Sequence, residues 1–421
     1  MGRTTVAVCL LLALAALAFA QTPYEGYNLF RSLQSTTAYL MDNDGVFVHS
    51  WDAGYLPGNG MYLLENGELF HAGKINNPDF DAPGAGGIVQ TFDWDGSVTW
   101  EYEYSSTEHL QHHDVEMLPN GNVLMVAWQY KSEAEAIAAG RDPSLLDAGE
   151  LWPDSIIEVM PTGSNTGDIV WEWHVWDHLV QDYDPTKPDY GVIADHPELI
   201  DLNCVDTFGG TSWNNVNSVD YNAELDQIIL SVRMFGEIWV IDHSTTAAEA
   251  AGHSGGSSSM GGDLLYRWGN PQNYDAGTSA DQRLFYQHDA EWIEAGLPGE
   301  GNILIFNNGQ GRPGGNYSSV DEIVPPVNPD GSYTLTPGSA YGPTEPLWIY
   351  TADPPDDFYS AAISGTQRLP NGNTLICEGN SAHFFEVTAS GETVWEYDYT
   401  GMVFRVERYA PDYPGLWQMT G

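Results

Sequence analysis

An aromatic strand pattern that occurs six times along the chain constrains the fold more than any other feature. Each copy is a short run, rich in apolar and β-branched residues, that ends in tryptophan or tyrosine, as strands of a packed sheet do. The copies are Asp44–Trp51, Asp95–Tyr102, Gly167–Trp173, Gly262–Trp268, Pro346–Tyr350 and Gly391–Tyr397. Their intervals are irregular and slightly long for propeller blades. Six such strands nevertheless indicate six blades, because arranging the blades in a closed ring protects the exposed edges of the sheets. We therefore predict an all-β chain folded as a six-bladed β-propeller of four-stranded antiparallel blades.

A tight turn that leads into an apolar strand forms a second repeat. Its clearest copies contain Asn-Gly, the strongest short signal of a hairpin, because both residues tolerate positive φ. They are Leu64–Gly67, Leu118–Asn122 and Leu369–Asn373, and looser copies are Glu224–Ile228 and Leu297–Asn302. The turn and the aromatic strand alternate with no long linker between them. This alternation predicts one propeller domain across residues 21–421.

The first 20 residues have the three parts of a secretory signal peptide. Arg3 gives a positive start, Val6–Ala18 is nearly all apolar, and Ala18-Phe19-Ala20 provides a small-x-small cleavage site. The apolar run is too short to span a bilayer comfortably, and no other long apolar stretch follows. We predict a signal peptide over residues 1–20, no stable membrane insertion, and a secreted or periplasmic protein.

The charge of the chain excludes one class of partner. The sequence has 59 Asp and Glu against 13 Lys and Arg, which gives a formal net charge of −46. Such a polyanion repels nucleic acid, so no nucleic-acid partner is expected. No motif typical of a metal or cofactor site occurs, and we expect neither group. Cys204 and Cys377 follow the predicted signal peptide, and the sequence leaves open whether they form a disulfide.

The turn repeat defines a common reference position, seven residues before the asparagine of each Asn-Gly turn. Residues at this position are Asn59, His113 and Ser364, and local sequence places His288 and Asn217 at the same position in two further blades. The inner strand of each propeller blade lines the central channel, so these side chains are expected to converge on the axis. Histidines that converge in this way are candidates for chemistry. The alternative is a polar plug in which each side chain is bonded to a backbone carbonyl.

His113 and His288 begin the same local pattern, His-Asp-x-Glu. Successive side chains of a strand point to opposite faces. We therefore expect the neighbouring Asp114 and Asp289 to face away from the histidines and to brace loops rather than take part in chemistry.

Five stretches, taken in sequence order, carry a resemblance to a known family. They are His112–Asn122, Trp213–Tyr221, Ile228–Arg233, Glu237–Ser244 and Gln287–Ala290. Together with the Trp-Glu-Tyr strands, they make the chain resemble the bacterial arylsulfate sulfotransferases over most of its length beyond the signal peptide. The resemblance implies a six-bladed propeller that moves a sulfuryl group from an aryl sulfate to a phenolic acceptor without a nucleotide sulfate donor.

The resemblance also implies roles for individual residues. His288 is expected to take the sulfuryl group as a sulfohistidine, and His113 is expected to be its partner in proton transfer or sulfate binding. Arg233 and Asn217 are expected to hold sulfate oxygens. Arginine presents a planar set of donors, and a protonated His113 beside it is expected to add positive charge for an anionic substrate. The alternative for Arg233 is an ion pair with a surface carboxylate.

One position departs from the family pattern. Members commonly read Trp-x-His-x-Asn-Ser where this chain has Trp213–Ser218, so Asn215 stands in place of a third histidine. Asparagine can donate a hydrogen bond to a sulfate oxygen, but it does not shuttle a proton at neutral pH. We therefore expect Asn215 among the substrate-binding residues, together with Ser364 and Asn59 from the repeat position.

Two functions of other classes stay open. One is a non-catalytic propeller that binds a sulfated or other anionic ligand such as a polysaccharide, and Asn215 favours it. The other is a scaffold propeller whose axis is filled by side chains. The presence of His113, His288 and Arg233 favours the enzyme. The sequence leaves the oligomeric state open.

Overall fold

The computed structural model describes residues 22–420 and contains six four-stranded antiparallel sheets, which form the blades of a β-propeller. The all-β class, the number of blades and the number of strands in each blade, all predicted from the sequence, are confirmed. The predicted signal peptide at residues 1–20 lies outside the described residues.

The first three blades follow one another along the chain. Blade 1 begins with β1 (Tyr27–Ser32), β2 (Thr37–Asp42) and β3 (Phe47–Asp52). Blade 2 consists of β4 (Leu56–Leu63), β5 (Leu69–Lys74), β6 (Gly87–Phe92) and β7 (Val98–Glu103). Blade 3 consists of β8 (His109–Met117), β9 (Val123–Gln129), β12 (Asp154–Gly163) and β13 (Thr166–His174). A short pair, β10 (Lys131–Ser132) and β11 (Glu150–Leu151), lies between β9 and β12 in the chain.

The remaining blades follow a second short pair. The parallel strands β14 (Leu179–Val180) and β15 (Ile200–Asp201) lie in the connection between blades 3 and 4. Blade 4 consists of β16 (Val216–Asn222), β17 (Gln227–Val232), β18 (Glu237–Asp242) and β19 (Tyr266–Trp268). Blade 5 consists of β20 (His288–Trp292), β21 (Ile303–Asn307), β22 (Ser319–Ile323) and β23 (Trp348–Tyr350). Blade 6 consists of β24 (Gly365–Arg368), β25 (Thr374–Glu378), β26 (His383–Val387) and β27 (Thr393–Asp398), and the last strand is β28 (Val403–Tyr409).

Helices are short and lie in the connections. The α-helices are α1 (Glu133–Ala139) and α2 (Ala247–Ala250), and a capping box of serine or threonine with glutamate begins each of them. The 3₁₀ helices are Pro143–Leu145, Val175–Asp177, Ile193–Asp195, Pro271–Tyr274, Pro355–Asp357 and Pro414–Thr420. Over residues 22–420, no helix has the length and apolar character needed to cross a bilayer.

Strands from both ends of the described chain close the propeller. β28 pairs with β1, with Tyr27 opposite Tyr409, and becomes the innermost strand of blade 1. The other innermost strands are β4, β8, β16, β20 and β24, and each inner strand contacts the next around the axis. This closure is how a propeller protects the edges of its sheets.

Each sequence repeat marks one place in a blade. The six aromatic segments contain β3, β7, β13, β19, β23 and β27, the outermost strand of every blade. The turn repeats join the innermost strand to the second strand in blades 2 to 6. Counting from these turns therefore compares positions that are equivalent in space.

The core lies between neighbouring blades. Strands β9 and β17 are almost continuously buried, because both faces of a blade pack against its neighbours. Trp128, Trp173 and Trp239 are fully buried in the packed layers. Cys204 and Cys377 are both free thiols, so the disulfide that the sequence left open is not formed.

Candidate active site

The backbone is irregular at the start of the inner strands in five blades. One residue there has a positive φ, which is uncommon for residues other than glycine. These residues are Asn59 (φ 89°), His113 (φ 53°), Asn215 (φ 55°), Asp289 (φ 53°) and Ser364 (φ 88°). The strand register shifts nearby, as between His288 and Ala290. A bulge of this kind changes the direction of side chains, so that they no longer alternate regularly between the two faces of the strand.

His113 ends a buried hydrogen-bond chain. Its Nδ1 lies 2.7 Å from Nδ1 of His112, and Nε2 of His112 lies 3.0 Å from Oδ1 of Asp154. The backbone N–H of Val216 donates to the other carboxylate oxygen of Asp154 at 2.7 Å. Because the Nδ1 atom of His113 is engaged in this chain, Nε2 is the ring nitrogen that remains for chemistry.

Burial keeps this chain neutral. Burial, helped by the neighbouring His112 and Arg233, holds the pKa of His113 well below its ordinary value. The expectation of a protonated His113 is therefore wrong, because an imidazole with so low a pKa is uncharged near pH 7. Burial also lowers the pKa of His112 and raises that of Asp154 well above its usual range.

His288 is held in one tautomer by its neighbours. The amide Nδ2 of Asn308 donates to the backbone oxygens of Ser360 and Ile363, so its Oδ1 is the atom that faces His288. That Oδ1 accepts from Nδ1 of His288 at 2.8 Å, and Nε2 of His288 accepts from the Ile363 N–H at 3.2 Å. Burial and then Arg233 hold the pKa of His288 well below its ordinary value. His288 is thus a neutral imidazole whose lone pair lies on Nε2.

Arg233 supplies an unpaired positive charge beside the two histidines. Its guanidinium carbon lies 4.7 Å from the ring centroid of Phe208 and 4.7 Å from that of Tyr286. Arg233 is only 7% exposed, and no carboxylate within the described part of the chain forms an ion pair with it. The alternative of a surface ion pair is therefore wrong. Because Arg233 lowers the pKa of both His113 and His288, the three side chains belong to one site.

Asn215 and Asn217 adjoin this site. Nδ2 of Asn217 donates to the Gln287 carbonyl at 2.8 Å, and its buried Oδ1 has no hydrogen-bond partner within the described residues. Nδ2 of Asn215 donates to Oγ of Ser212 at 3.1 Å, and the Asn215 carbonyl accepts from the Arg233 N–H at 3.3 Å. Asn215 therefore helps to hold the backbone of the arginine that carries the positive charge.

Ser364 and Asn59 occupy the repeat position in blades 6 and 2. Oγ of Ser364 donates to Oγ of Ser360 at 2.9 Å and accepts from the Gly379 N–H at 2.9 Å, so its hydroxyl is engaged within blade 6. Asn59 lines a small cavity together with Phe404 and Arg405. Of the predicted residues, His113, His288 and Arg233 interact electrostatically with one another, and Ser364 follows Ile363, whose N–H meets His288.

Arg405 of β28 fills the axis beside the histidines. Its Nη2 lies 2.9 Å from Oδ2 of Asp114, and its Nε lies 2.6 Å from Oδ1 of Asp289. The two carboxylates also accept the backbone N–H groups of Val219 and Thr366 in the following blades. The expectation that Asp114 and Asp289 brace loops is wrong, because with Arg405 and these two N–H groups they join the inner strands of five blades.

The residues that the sequence analysis missed act through the predicted ones. His112, Asp154 and Asn308 hold the two histidines, and Phe208 stacks on Arg233. The one available signal was the adjacent pair His112-His113, which strand alternation would place on opposite faces. Asp154 lies on β12, 42 residues from His112, and no local pattern connects the two.

Comparisons with known proteins relate the chain to one family. The family model described as Arylsulfotransferase (ASST) matches residues 20–410. An arylsulfate sulfotransferase AssT of Escherichia coli O6:H1 is 26% identical over 188 residues, which are 42% of this chain and 29% of that protein. The protein of the same name from Lelliottia amnigena is 26% identical over 186 residues, again 42% of this chain and 29% of the relative. A solved structure of a protein of unknown function from Bacteroides caccae has a TM-score of 0.49 at 10% identity and covers 91% of this chain and 98% of its own.

Proposed function

Because the chain belongs to the arylsulfotransferase family, we propose that it is an exported enzyme that transfers a sulfuryl group from a small aryl sulfate to a phenolic acceptor through His288. The observation that carries the proposal is the fixed neutral tautomer of His288 beside the unpaired Arg233. Its Nδ1 donates to Asn308, so the nucleophilic lone pair is on Nε2, where the Ile363 N–H lies 3.2 Å away. The chain matches only 29% of the length of its curated relatives, so donor and acceptor are proposed as classes.

In the proposed first step, Nε2 of His288 attacks the sulfur of the aryl sulfate. The N–S bond forms, the S–O bond to the aryl group breaks, and the aryl oxygen leaves with the bonding electron pair. In the second step the oxygen of the acceptor phenol attacks the same sulfur, and the N–S bond breaks. An imidazole nucleophile in this way divides one difficult transfer into two easier ones.

The chain Asp154–His112–His113 is proposed to move the proton. When Asp154 holds the proton, His112 donates from Nδ1 to His113, and Nε2–H of His113 faces the leaving aryl oxygen. When His113 gives up that proton, each hydrogen bond of the chain reverses and Asp154 becomes a carboxylate. Burial raises the pKa of Asp154 well above its usual range, which makes the protonated state accessible. In the second step His113 takes the proton of the acceptor phenol, so the cycle balances.

Arg233 is proposed to bind the peripheral sulfate oxygens, where charge is concentrated during such transfers. Its stacking between Phe208 and Tyr286 fixes the plane of the guanidinium group before substrate arrives. The amide groups of Asn215 and Asn217 lie next to it and supply further hydrogen bonds. Because Asn215 does not titrate, proton transfer at this site depends on the His113 chain alone.

The proposal is tested with 4-nitrophenyl sulfate and a panel of phenolic acceptors. We expect nitrophenol release that depends on the acceptor, and a sulfuryl adduct on the His288 peptide by mass spectrometry when the acceptor is omitted. His288→Ala should abolish both signals. His383→Ala, which removes a histidine paired with Asp398 on blade 6, should keep both. A folded protein that binds aryl sulfate but forms no adduct and releases no phenol would instead be a non-catalytic anion-binding propeller.

Asp154→Asn tests the proton chain separately. An amide at this position cannot give up or take a proton, so the hydrogen bonds from residue 154 through His112 to His113 cannot reverse. Protonation of the leaving oxygen therefore fails. We expect transfer from phenyl sulfate, a poor leaving group, to fall by about 100-fold or more, the usual contribution of general acid catalysis. Transfer from 4-nitrophenyl sulfate should fall much less, because nitrophenolate leaves without a proton. Equal losses for both donors would contradict the proton role of the chain.

A further inference from the structure

Three side chains far from the axis bring their ligand atoms together. His178, His253 and Asp263 place one donor atom each within 4.8 Å of one another. Oδ1 of Asp263 lies 2.9 Å from Nδ1 of His178 and 2.8 Å from Nδ1 of His253. One carboxylate oxygen therefore faces two imidazole nitrogens.

His178 is oriented as metal-binding histidines are. Its Nε2 lies 2.8 Å from the Ala250 carbonyl, which only accepts, so the proton of the ring sits on Nε2. In the neutral tautomer Nδ1 then presents a lone pair toward Asp263. A histidine ligand commonly donates its second ring nitrogen to a carbonyl or carboxylate, which fixes the orientation of the ring.

The surrounding structure is built to hold this histidine. His178 is fully buried, and its ring stacks on Trp173 at 5.6 Å between centroids and 8° between planes. Nε1 of Trp173 donates to the Gly262 carbonyl at 2.7 Å. A Cβ at Gly262 would lie 2.0 Å from the Ala250 oxygen and 2.6 Å from Nε2 of His178. Only glycine at position 262 therefore lets His178 reach the Ala250 carbonyl.

The three donor atoms lie close enough together for one cation to contact all of them. The site also has an entrance, because the side chain of His253 is 59% exposed. The strongly negative chain draws cations toward its surface.

We propose that His178, His253 and Asp263 form a transition-metal site suited to Zn²⁺, with its fourth position open to water or a further carboxylate. Two imidazole nitrogens and one carboxylate oxygen suit zinc and its neighbours, whereas Ca²⁺ and Mg²⁺ prefer oxygen ligands only. Asp189 interacts electrostatically with His253 and is the nearest further carboxylate that the structure indicates. The site departs from the expectation of no metal, because His178 and Asp263 lie 85 residues apart and match no sequence motif.

The metal would fasten two connections of the propeller. His178 precedes β14, and its carbonyl accepts from the Ile200 N–H at 2.8 Å at the start of β15. The chain continues from β15 to Phe208, which stacks on Arg233. His253 and Asp263 lie in the loop between α2 and β19. A metal here links the approach to blade 4 with the loop before its outermost strand, and it does so whether or not the protein transfers sulfuryl groups.

The test is titration of the full chain with ZnCl₂ and CoCl₂ after treatment with a chelator. We expect one equivalent of Zn²⁺ to bind, Co²⁺ to give the visible absorption of a nitrogen-ligated site, and Zn²⁺ to raise the temperature of thermal unfolding. His253→Ala, at an exposed side chain that is not needed for folding, should weaken Zn²⁺ binding by more than about 100-fold. Asp263→Asn should do the same if it folds.

His383→Ala is the matched control. His383 Nδ1 lies 2.7 Å from Oδ1 of Asp398, so it forms a histidine–carboxylate pair that lacks the second histidine. This variant should bind Zn²⁺ as the wild type does. Absence of stoichiometric binding by the wild type would overturn the proposal. So would equal affinity in His253→Ala and His383→Ala, or displacement of Zn²⁺ by an excess of Ca²⁺.

Discussion

The inner strands carry two chemically opposite regions along one axis. The histidine region contains His113 within β8, His288 at the start of β20 and Arg233, which directly follows β17. The carboxylate region lies two to three residues further along the same strands and contains Glu116, Asp220, Glu291 and Glu407. Both regions arise from the same repeat, and they differ in what burial does to their charge.

Burial acts on the two regions in opposite directions. It lowers the pKa of His113 and of His288, so these imidazoles lose their protons. It raises the pKa of Glu116 and Glu291 well above the usual range and that of Glu407 to about 8, so these carboxyl groups keep theirs. Desolvation thus keeps these histidines and glutamates neutral near pH 7, whereas it raises the pKa of Asp220 only to about 6, and Arg233 keeps an unpaired charge at the histidine region. The comparison teaches that one arginine supplies the unpaired positive charge on which the proposed binding of a sulfate depends.

The largest effect is expected from removal of Arg405, which separates the two regions. Arg405→Met leaves Asp114 and Asp289 buried without their cation, and breaking a buried ion pair from one side costs about 3–5 kcal/mol. The free energy of unfolding in urea measures the loss. Arg283→Met removes an exposed pair with Glu345 and should cost less than about 1 kcal/mol. Equal losses in the two variants would mean that the axis does not depend on the arginine.

Gly84→Ala is expected to disturb the histidine region alone. Gly84 has φ +90°, and a Cβ there would lie 2.1 Å from Cε1 and 2.3 Å from Nε2 of His113. The ring must move, and a displacement of this size at a reacting group costs about 100-fold in rate. The transfer assay measures this loss. Gly96→Ala, at φ +84° with nothing within 4 Å, carries the same backbone cost without the contact and should keep its activity.

The two regions should give opposite pH dependences of stability. The pKa of Glu407 is raised from 4.5 to about 8. Its contribution to stability is therefore fully present below pH 4.5 and is lost as the pH rises toward 8. The histidines have lowered pKa values, so the stability that they contribute is lost as the pH falls below 6.5.

Glu407→Gln sharpens this difference. One carboxyl group contributes a slope of at most about 1.4 kcal/mol per pH unit. The variant should lose part of the decline in unfolding free energy between pH 5 and pH 8, measured by urea titration at several pH values. Glu396→Gln on the exposed face of β27 is the control and should keep the whole decline. An unchanged slope in Glu407→Gln would show that the carboxylate region does not titrate as a buried cluster.

The sequence predicts the fold well because its two repeats are local. Aromatic outer strands and Asn-Gly turns each form from neighbouring residues. The number of blades can therefore be predicted by counting the six copies of the aromatic strand pattern. The pairing of β28 with β1 was not predicted, because it joins residues at opposite ends of the chain and leaves no local pattern. Blade 1 consequently had no turn to count from, and Arg405 on β28 was missed.

The residues of the candidate site that occupy the repeat position were predicted, whereas those whose side chains are reoriented by strand bulges were missed. His113 and His288 were predicted from the reference position that the repeated turns define. His112 was missed, although it lies fully buried beside His113, because the bulge in β8 breaks the strand alternation that would place the two side chains on opposite faces. The same bulges turned Asp114 and Asp289 toward the axis. Predicting the direction of a side chain from strand alternation is thus least reliable at the bulged inner strands, where the propeller concentrates its polar residues.

The smallest effect is expected at Asn215, where the histidine region departs from the family pattern. Asn215 has φ 55°, a conformation that both asparagine and histidine tolerate. Asn215→His adds a second group that exchanges a proton beside Arg233, and we expect transfer from phenyl sulfate to a phenolic acceptor to rise about fivefold, or about 1 kcal/mol. Asn215→Gln keeps an amide without adding a titratable group, and its activity should not rise. If the histidine variant also fails to gain, the His113 chain already supplies all the proton transfer that the reaction needs, and the neutral character of the histidine region is sufficient for function.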